Sequence, residues 1–397
     1  MSLGQQRAAW VNEAPNGALL QLYRWRWKDI QDRLDEIQKA GYSTIQLSPH
    51  TATCSGGNGN GYDPSDFTSF DSGFGTEKEL SALIAAAHQR GIGVFADMVL
   101  NHMCGADFKY KFFGWQDFHH YGKIQNNDDP WWVENGDLLG LNDLCQECEY
   151  VRGQLHNYLV KSHELGFDGF RWDAAKHVPG WYWKQNVLPW IASWGNYSYG
   201  EVFHGNVDTL AGYAGLGMAV TDYALYFAMR DAFRFGGNLA SLDGAGLAMR
   251  KGGQALTFVE NHDVPAPANR TLAYAFLSAY PGFPLYNAVR LDDAAINNLV
   301  WIHRNLAHGS VIVRAKSQNV LVFEREQHLL AGFNQGADPV QQWVQTSWKG
   351  VRLHDFTGKT ADRWTRADGG VEVEIPTLDF VMLAPAEQKA RSLYLTE

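Results

Sequence analysis

The strongest constraint on this chain is a rhythm in its first hundred residues. Short, mostly apolar runs at residues 18–23, 44–48 and 92–100 read as buried strands. Between the first two, Ile30, Leu34 and Ile37 recur at helical spacing over residues 28–40, and Gly41 ends the segment. Between the second and third, a Gly-rich loop covers residues 51–75. A helix then opens at Thr76, with Glu79 three residues on in a capping-box pattern. Leu80, Leu83, Ile84 and Ala87 form its apolar stripe, and Gly91 closes it. A β-α-β-α-β order of this kind specifies a parallel sheet with helical crossovers.

The rhythm resumes after residue 147. Residues 150–165 and 292–307 read as helical, and residues 167–173, 197–201, 218–222, 255–260 and 283–286 as strands. With the first three, these make eight strands, the number an α/β fold of the (β/α)8 TIM-barrel type requires. An open doubly wound sheet is the structural alternative. No G-x-G-x-x-G follows the first strand, so a dinucleotide fold gains no support. Residues 103–147 lack periodicity and are rich in aromatic, Asn and Asp residues, as suits an excursion after strand three. Beyond Gly309 the pattern becomes antiparallel β, with strands expected at 311–313, 320–324, 329–333, 371–375 and 380–383. The domain organisation that follows is residues 1–102 as the first part of the barrel and 103–147 as the excursion. Residues 148–309 make the second part, and 310–397 a C-terminal antiparallel β domain.

Composition narrows the partners. The 397 residues carry a formal charge of −10, which disfavours nucleic acid, because phosphate binding needs clustered Lys and Arg. No apolar run approaches the roughly 20 residues that cross a bilayer. Fifteen Trp and seventeen Tyr make the chain aromatic-rich. Most of these rings are expected in the core, with Trp115, Trp131 and Trp132 on loops, where a sugar platform would form. Four cysteines, Cys54, Cys104, Cys145 and Cys148, are too few for a disulfide scaffold. The C-x-x-C pair has no second half to complete a zinc site. Structural or free thiols are expected, with one or two disulfides if the chain is exported. Residues 1–4 contain no apolar signal segment, and the compartment stays open.

Acidic residues stand where three of the expected strands end: Asp173 after strand four, Glu201 after strand five and Asp263 after strand seven. The mouths of barrel strands are where catalytic groups of such folds lie. Arg171 is two residues before Asp173, so alternation puts both on one face. A guanidinium there favours the ionised carboxylate that a nucleophile needs.

Five segments then resemble motifs of the α-amylase family of glycoside hydrolases, in the family's order. They are Gly61-Tyr62-Asp63-Pro64-Ser65-Asp66, Asp97-Met98-Val99-Leu100-Asn101-His102, Gly169-Phe170-Arg171-Trp172-Asp173-Ala174-Ala175-Lys176-His177, Gly200-Glu201-Val202-Phe203 and Phe258-Val259-Glu260-Asn261-His262-Asp263. The resemblance implies a retaining α-amylase-type hydrolase cutting internal α-1,4 bonds of starch, glycogen or maltooligosaccharides. Asp173 would be the nucleophile, Glu201 the acid/base and Asp263 the third carboxylate. Tyr62 would stack on the sugar, His102 and His262 would hydrogen-bond it, Lys176 and His177 would face the leaving-group side, and Arg171 would belong to the same substrate-binding set. Calcium is implied at Asn101, Asp143 and the carbonyl of His177. An α-glucan substrate and a monomer, secreted or periplasmic, are the remaining expectations. His262 and Asp263 must lie beyond the regular strand, since alternation would otherwise separate them. The excursion is short for the family. Val264-Pro265-Ala266-Pro267 replaces the Thr or Ser often found after the third carboxylate, and Tyr286-Asn287 replaces Tyr-Gly-Asp or Tyr-Gly-Glu. The last two departures leave loop contacts, and with them product length, open. The alternatives are a transglycosylase or isomerase of the same family, a hydrolase confined to maltooligosaccharides, and a non-catalytic carbohydrate-binding or scaffold protein on this fold.

Overall fold

A computed structural model describes residues 17–105 and 108–391. The reading of residues 1–4 falls outside them. Two compact units make up the chain, one from Leu19 to Thr221 and one from Asp222 onward.

Eight strands form a closed parallel barrel: β1 (Leu19–Leu22), β2 (Thr44–Leu47), β3 (Gly93–Met98), β4 (Gly169–Trp172), β5 (Tyr197–Gly200), β6 (Ala219–Thr221), β7 (Ala255–Phe258) and β8 (Phe283–Asn287). They follow one another around the barrel in chain order. Every strand expected from the sequence is present. The reason is visible in their burial: β1 to β4 have no residue open to solvent, the state of a sheet covered on both faces. Helices complete each crossover. The one opened by Thr76 spans Glu77–Gln89, and both bonds of its capping box are made. Residues 28–40 are two helices rather than one, Trp27–Asp32 and Leu34–Lys39. Arg33 leaves helical geometry at φ −107° and ψ 10°, while Trp27, Ile30, Leu34 and Ile37 all stay buried. No helix among the described residues is long and apolar enough to cross a membrane.

The excursion is anchored by a short antiparallel ribbon, His102–Gly105 against Leu141–Asp143. Within it the helix Pro130–Asn135 is capped by the Asp129 carboxylate and begins with proline at its first turn. All four cysteines are paired, Cys54 with Cys104 and Cys145 with Cys148, which is the two-disulfide alternative of the sequence reading and not the free thiols. Cys54 and Cys104 are 50 residues apart in sequence. They meet because the Gly-rich segment folds back on itself, pairing Ala52–Thr53 with Pro64–Asp66.

In the second unit the C-terminal domain has a six-stranded antiparallel sheet and a two-stranded ribbon. Its strands are β9 (Val311–Lys316), β10 (Val320–Arg325), β11 (Leu329–Asn334), β12 (Val340–Gln345), β13 (Arg352–Asp355), β14 (Arg363–Trp364), β15 (Gly370–Ile375) and β16 (Asp379–Pro385). The sheet order is β9-β10-β11-β16-β13-β14, and β12 pairs with β15. Val322, Leu330, Val344, Val373, Val381 and Leu383 form its core.

Candidate active site

The register of the barrel strands sets one layer of side chains. Asp97 on β3 lies opposite Arg171 on β4, which lies opposite Tyr199 on β5. Arg171 is buried and gathers three carboxylates. Its Nη1 donates to Asp97 Oδ1 at 2.5 Å and to Asp173 Oδ1 at 3.1 Å, and its Nη2 reaches Glu201 Oε1 at 2.9 Å. Asp97 Oδ2 also accepts from the Tyr62 hydroxyl at 2.8 Å and from Gln46 Nε2 at 3.2 Å. Gln46 Oε1 in turn accepts from the Tyr199 hydroxyl at 2.5 Å. Buried charges survive in a fold only when paired and hydrogen-bonded in this way.

Asp173 and Glu201 are the members nearest solvent, with side chains 10% and 13% exposed against 0% for Asp97. Glu201 is oriented from below by its second oxygen, Oε2, which accepts the backbone N–H of Ala174 at 3.1 Å. Ala174 holds a left-handed conformation, φ 47° and ψ 39°, which non-glycine residues adopt at a cost. That strained residue directly follows Asp173, so one turn of backbone serves both carboxyls.

Burial pushes the Asp173 carboxyl well above the ordinary carboxylate range, with Arg171 pulling it down and Glu201 and Asp97 pushing it further up. Asp97 is raised for the same first reason. The expectation that Arg171 keeps Asp173 ionised thus captures one side of the balance, and burial is the heavier side. Three carboxyls around one guanidinium would carry excess negative charge if all ionised, so the cluster favours retaining a proton.

The structure places the other expected residues as follows. The Tyr62 ring lies 5.6 Å from the Arg171 guanidinium carbon, and its hydroxyl is tied to Asp97. His102 is buried, with Nε2 3.0 Å from the Tyr62 carbonyl and Nδ1 3.3 Å from Asn101 Nδ2. Both ring nitrogens are engaged by protein, and the contact of Nε2 with the Tyr62 carbonyl braces the loop that carries Tyr62. Burial lowers its pKa to about 4, so the ring is neutral. His177 is likewise buried and lowered to about 4, with Nδ1 on the Val133 carbonyl at 2.9 Å. Lys176 donates to the Phe203 carbonyl at 3.4 Å. It lines a pocket of about 220 Å³ with Glu134, Val202, His204 and Tyr213.

In the second unit, His262 and Asp263 lie beyond β7, which ends at Phe258. Asn261 Oδ1 accepts from the Asp263 and Val264 N–H groups at 2.8 and 3.0 Å and shapes the loop. His262 Nε2 is 3.2 Å from Asp263 Oδ2, and the Asp263 side chain is 44% exposed.

Two expected calcium ligands pass a chemical test. Asn101 Oδ1 and Asp143 Oδ1 are both buried without a hydrogen-bond partner. Orphaned buried oxygens call for an explanation, and a hard cation supplies one. Burial pushes the Asp143 carboxyl up to about 7, opposed by His119. The Asp143 Oδ2 atom is fixed by His119 Nδ1 at 2.6 Å. A rival grouping of His119, Cys145 and Glu147 does not fit a metal, because the Cys145 sulfur is bound to Cys148.

Asp97, Gln46, Tyr199 and Ala174 were not singled out from sequence as site residues. A signal existed for Asp97, since it stands at the end of β3 within the motif that contains Asn101 and His102.

Residues 25–193 match the family model of the α-amylase catalytic domain, and residues 329–380 that of the α-amylase C-terminal domain. An α-amylase of Aeromonas hydrophila is 29% identical over 402 residues, covering 83% of this chain and 86% of its own. The first curated relatives matched are longer, and the chain spans 21%, 55% and 65% of their lengths. Among solved structures, an α-amylase from Malbranchea cinnamomea superposes with a TM-score of 0.85 at 20% identity, covering 96% of this chain and 99% of that one. A cyclomaltodextrin glucanotransferase superposes with a TM-score of 0.80 at 20% identity, covering 92% and 98%. At these identities both share the fold.

Proposed function

The chain belongs to the α-amylase family of glycoside hydrolases, and from that premise we propose that it is a retaining hydrolase of internal α-1,4-glucosidic bonds in starch, glycogen or maltooligosaccharides. The observation that carries the reading is the single guanidinium of Arg171 contacting both Asp173 and Glu201. Retention requires two carboxyls about 5–5.5 Å apart, close enough for one to attack while the other protonates. A shared guanidinium supports that short separation.

In this mechanism Asp173 attacks the anomeric carbon as the C–O bond to the leaving sugar breaks. Glu201 gives its proton to the departing oxygen. Asp173 and the sugar are then joined as a glycosyl ester. Glu201, now ionised, takes a proton from water, the water oxygen attacks the anomeric carbon, and Asp173 leaves as carboxylate. The crowding of acids around Arg171 supports the starting state, with one proton held in the cluster. Positive charge on the sugar at the transition state favours Asp173 in its ionised form. Asp263, the most exposed of the three acids, is assigned to sugar hydroxyls. Calcium, when bound, supplies a structural link, with Asn101, Asp143 and the His177 carbonyl as its protein oxygens.

Transfer to a sugar acceptor is the second reading, favoured by the common fold with a glucanotransferase and by the pocket beside Lys176, where an acceptor would dock. Maltose added as acceptor separates the two: longer products indicate transfer. Asp173→Asn in the folded chain is expected to abolish release of reducing sugar from starch. Proton NMR of the fresh products should show the α-anomer, and a β-anomer refutes retention.

A further inference from the structure

The excursion carries a second concavity that shares no residue with the carboxylate cluster. It encloses about 490 Å³ and is lined by the rings of Phe108, Tyr110, Phe118 and Trp115, with Asn142 and Asp137 among its polar groups. That volume falls in the range of about 300–1,000 Å³ typical of small-molecule sites. Its lining includes His119, whose Nδ1 holds Asp143 Oδ2 at 2.6 Å, so the cleft adjoins the candidate cation site without sharing its oxygens. Successive residues of a strand face opposite ways, so Asn142 points away from the face of Asp143, the candidate cation ligand. Asn142 donates instead to the Tyr110 hydroxyl at 2.8 Å.

Trp115 is the distinctive feature. Its indole is 76% exposed, although most of the chain's large rings are buried. One face stacks on His120, ring centroids 3.4 Å apart and planes 7° from parallel. His120 is held in turn by its Nε2 donating to the Trp115 carbonyl at 2.7 Å. The exposed indole is therefore fixed before any ligand arrives, and an exposed, preorganised ring at the rim of a concavity is a mark of a binding surface. The lining has one Lys, Lys109, and one Asp, Asp137, so it selects no strongly charged ligand. Aromatic faces with amide and carboxylate edges match a neutral ring that is apolar on its C–H faces and hydroxylated at its rim.

We propose that this cleft is an auxiliary binding site for an α-glucan chain, built on the Trp115–His120 stack and holding long substrates outside the carboxylate cluster. The inference rests on the glucan-hydrolase reading above. The test uses the full chain carrying Asp173→Asn, so that ligand is not consumed, and measures adsorption to starch granules. Adding Trp115→Ala should weaken adsorption about tenfold, the worth of one aromatic stacking contact. Trp115→Phe, which keeps a ring, should retain most of it. In the chain with native Asp173, Trp115→Ala should raise the KM for starch while sparing hydrolysis of a short maltotrioside. Equal adsorption by the Ala variant overturns the auxiliary site and leaves the hydrolase reading intact. Failure of the native chain to cleave any α-glucan overturns the hydrolase reading, and the auxiliary site with it.

Discussion

At the scale of single residues, Arg171 bears the most. It is the cation of a layer in which Asp97, Asp173 and Glu201 are all within hydrogen-bonding reach of one guanidinium. Arg171→Met should cost about 3–5 kcal/mol in denaturant unfolding, because it strands buried carboxylates without their partner. The variant should also change its pH profile in a definite direction. Arg171 pulls the raised Asp173 carboxyl downward, so removing it raises that carboxyl further. A larger fraction of Asp173 is then protonated at any given pH, and the acid limb of kcat/KM moves to higher pH. An acid limb that stays in place or moves down refutes the role given to Arg171. The Arg171–Asp173 pair was legible in the sequence, because alternation along one strand needs no knowledge of neighbours. The Arg171–Asp97 bond was not. It depends on the register between two strands whose partners stand 74 residues apart, which only the folded barrel fixes.

At the scale of elements, the turn leaving β4 joins chemistry to backbone geometry. Ala174 at φ 47° aims its N–H at Glu201 immediately after Asp173. Ala174→Gly should be tolerated, since glycine adopts this conformation freely. Ala174→Val should cost about 1–3 kcal/mol and lower kcat, because a β-branched residue resists positive φ and displaces the N–H. Denaturant melts and initial rates measure both, and a fully active, undiminished Val variant refutes the turn's role. Elements differed in legibility for a physical reason. The barrel strands announce themselves as apolar runs because both their faces are buried. β12, spelled Val340-Gln341-Gln342-Trp343-Val344-Gln345, and the short β13 and β14 were not anticipated. β12 leaves three of its six side chains exposed, β13 and β14 are only four and two residues long, and β12 and β13 pair with strands more distant in the chain. The cysteine bond across the Gly-rich segment was hidden for the same reason.

At the scale of the whole molecule, a cation on Asn101 and Asp143 would link the barrel to its excursion. Asn101 follows β3 by three residues, and Asp143 closes the ribbon on the far side of the excursion. A chelator should therefore lower the unfolding temperature of the native chain. An ion at a thousand times its dissociation constant contributes about 4 kcal/mol. Asn101→Ala should melt lower and lose its response to chelator, and a native chain indifferent to chelator refutes the site. The C-terminal sheet has a different kind of dependence. Its central strand β16 comes last in the chain, yet it fills the gap between β11 and β13. During synthesis on the ribosome, those two neighbours emerge first and wait with unpaired edges. Open edges recruit strands from other chains, so a message truncated before Asp379, or a stall at that point, yields a nascent product primed to aggregate. Translation must run through Pro385 before this domain can protect itself.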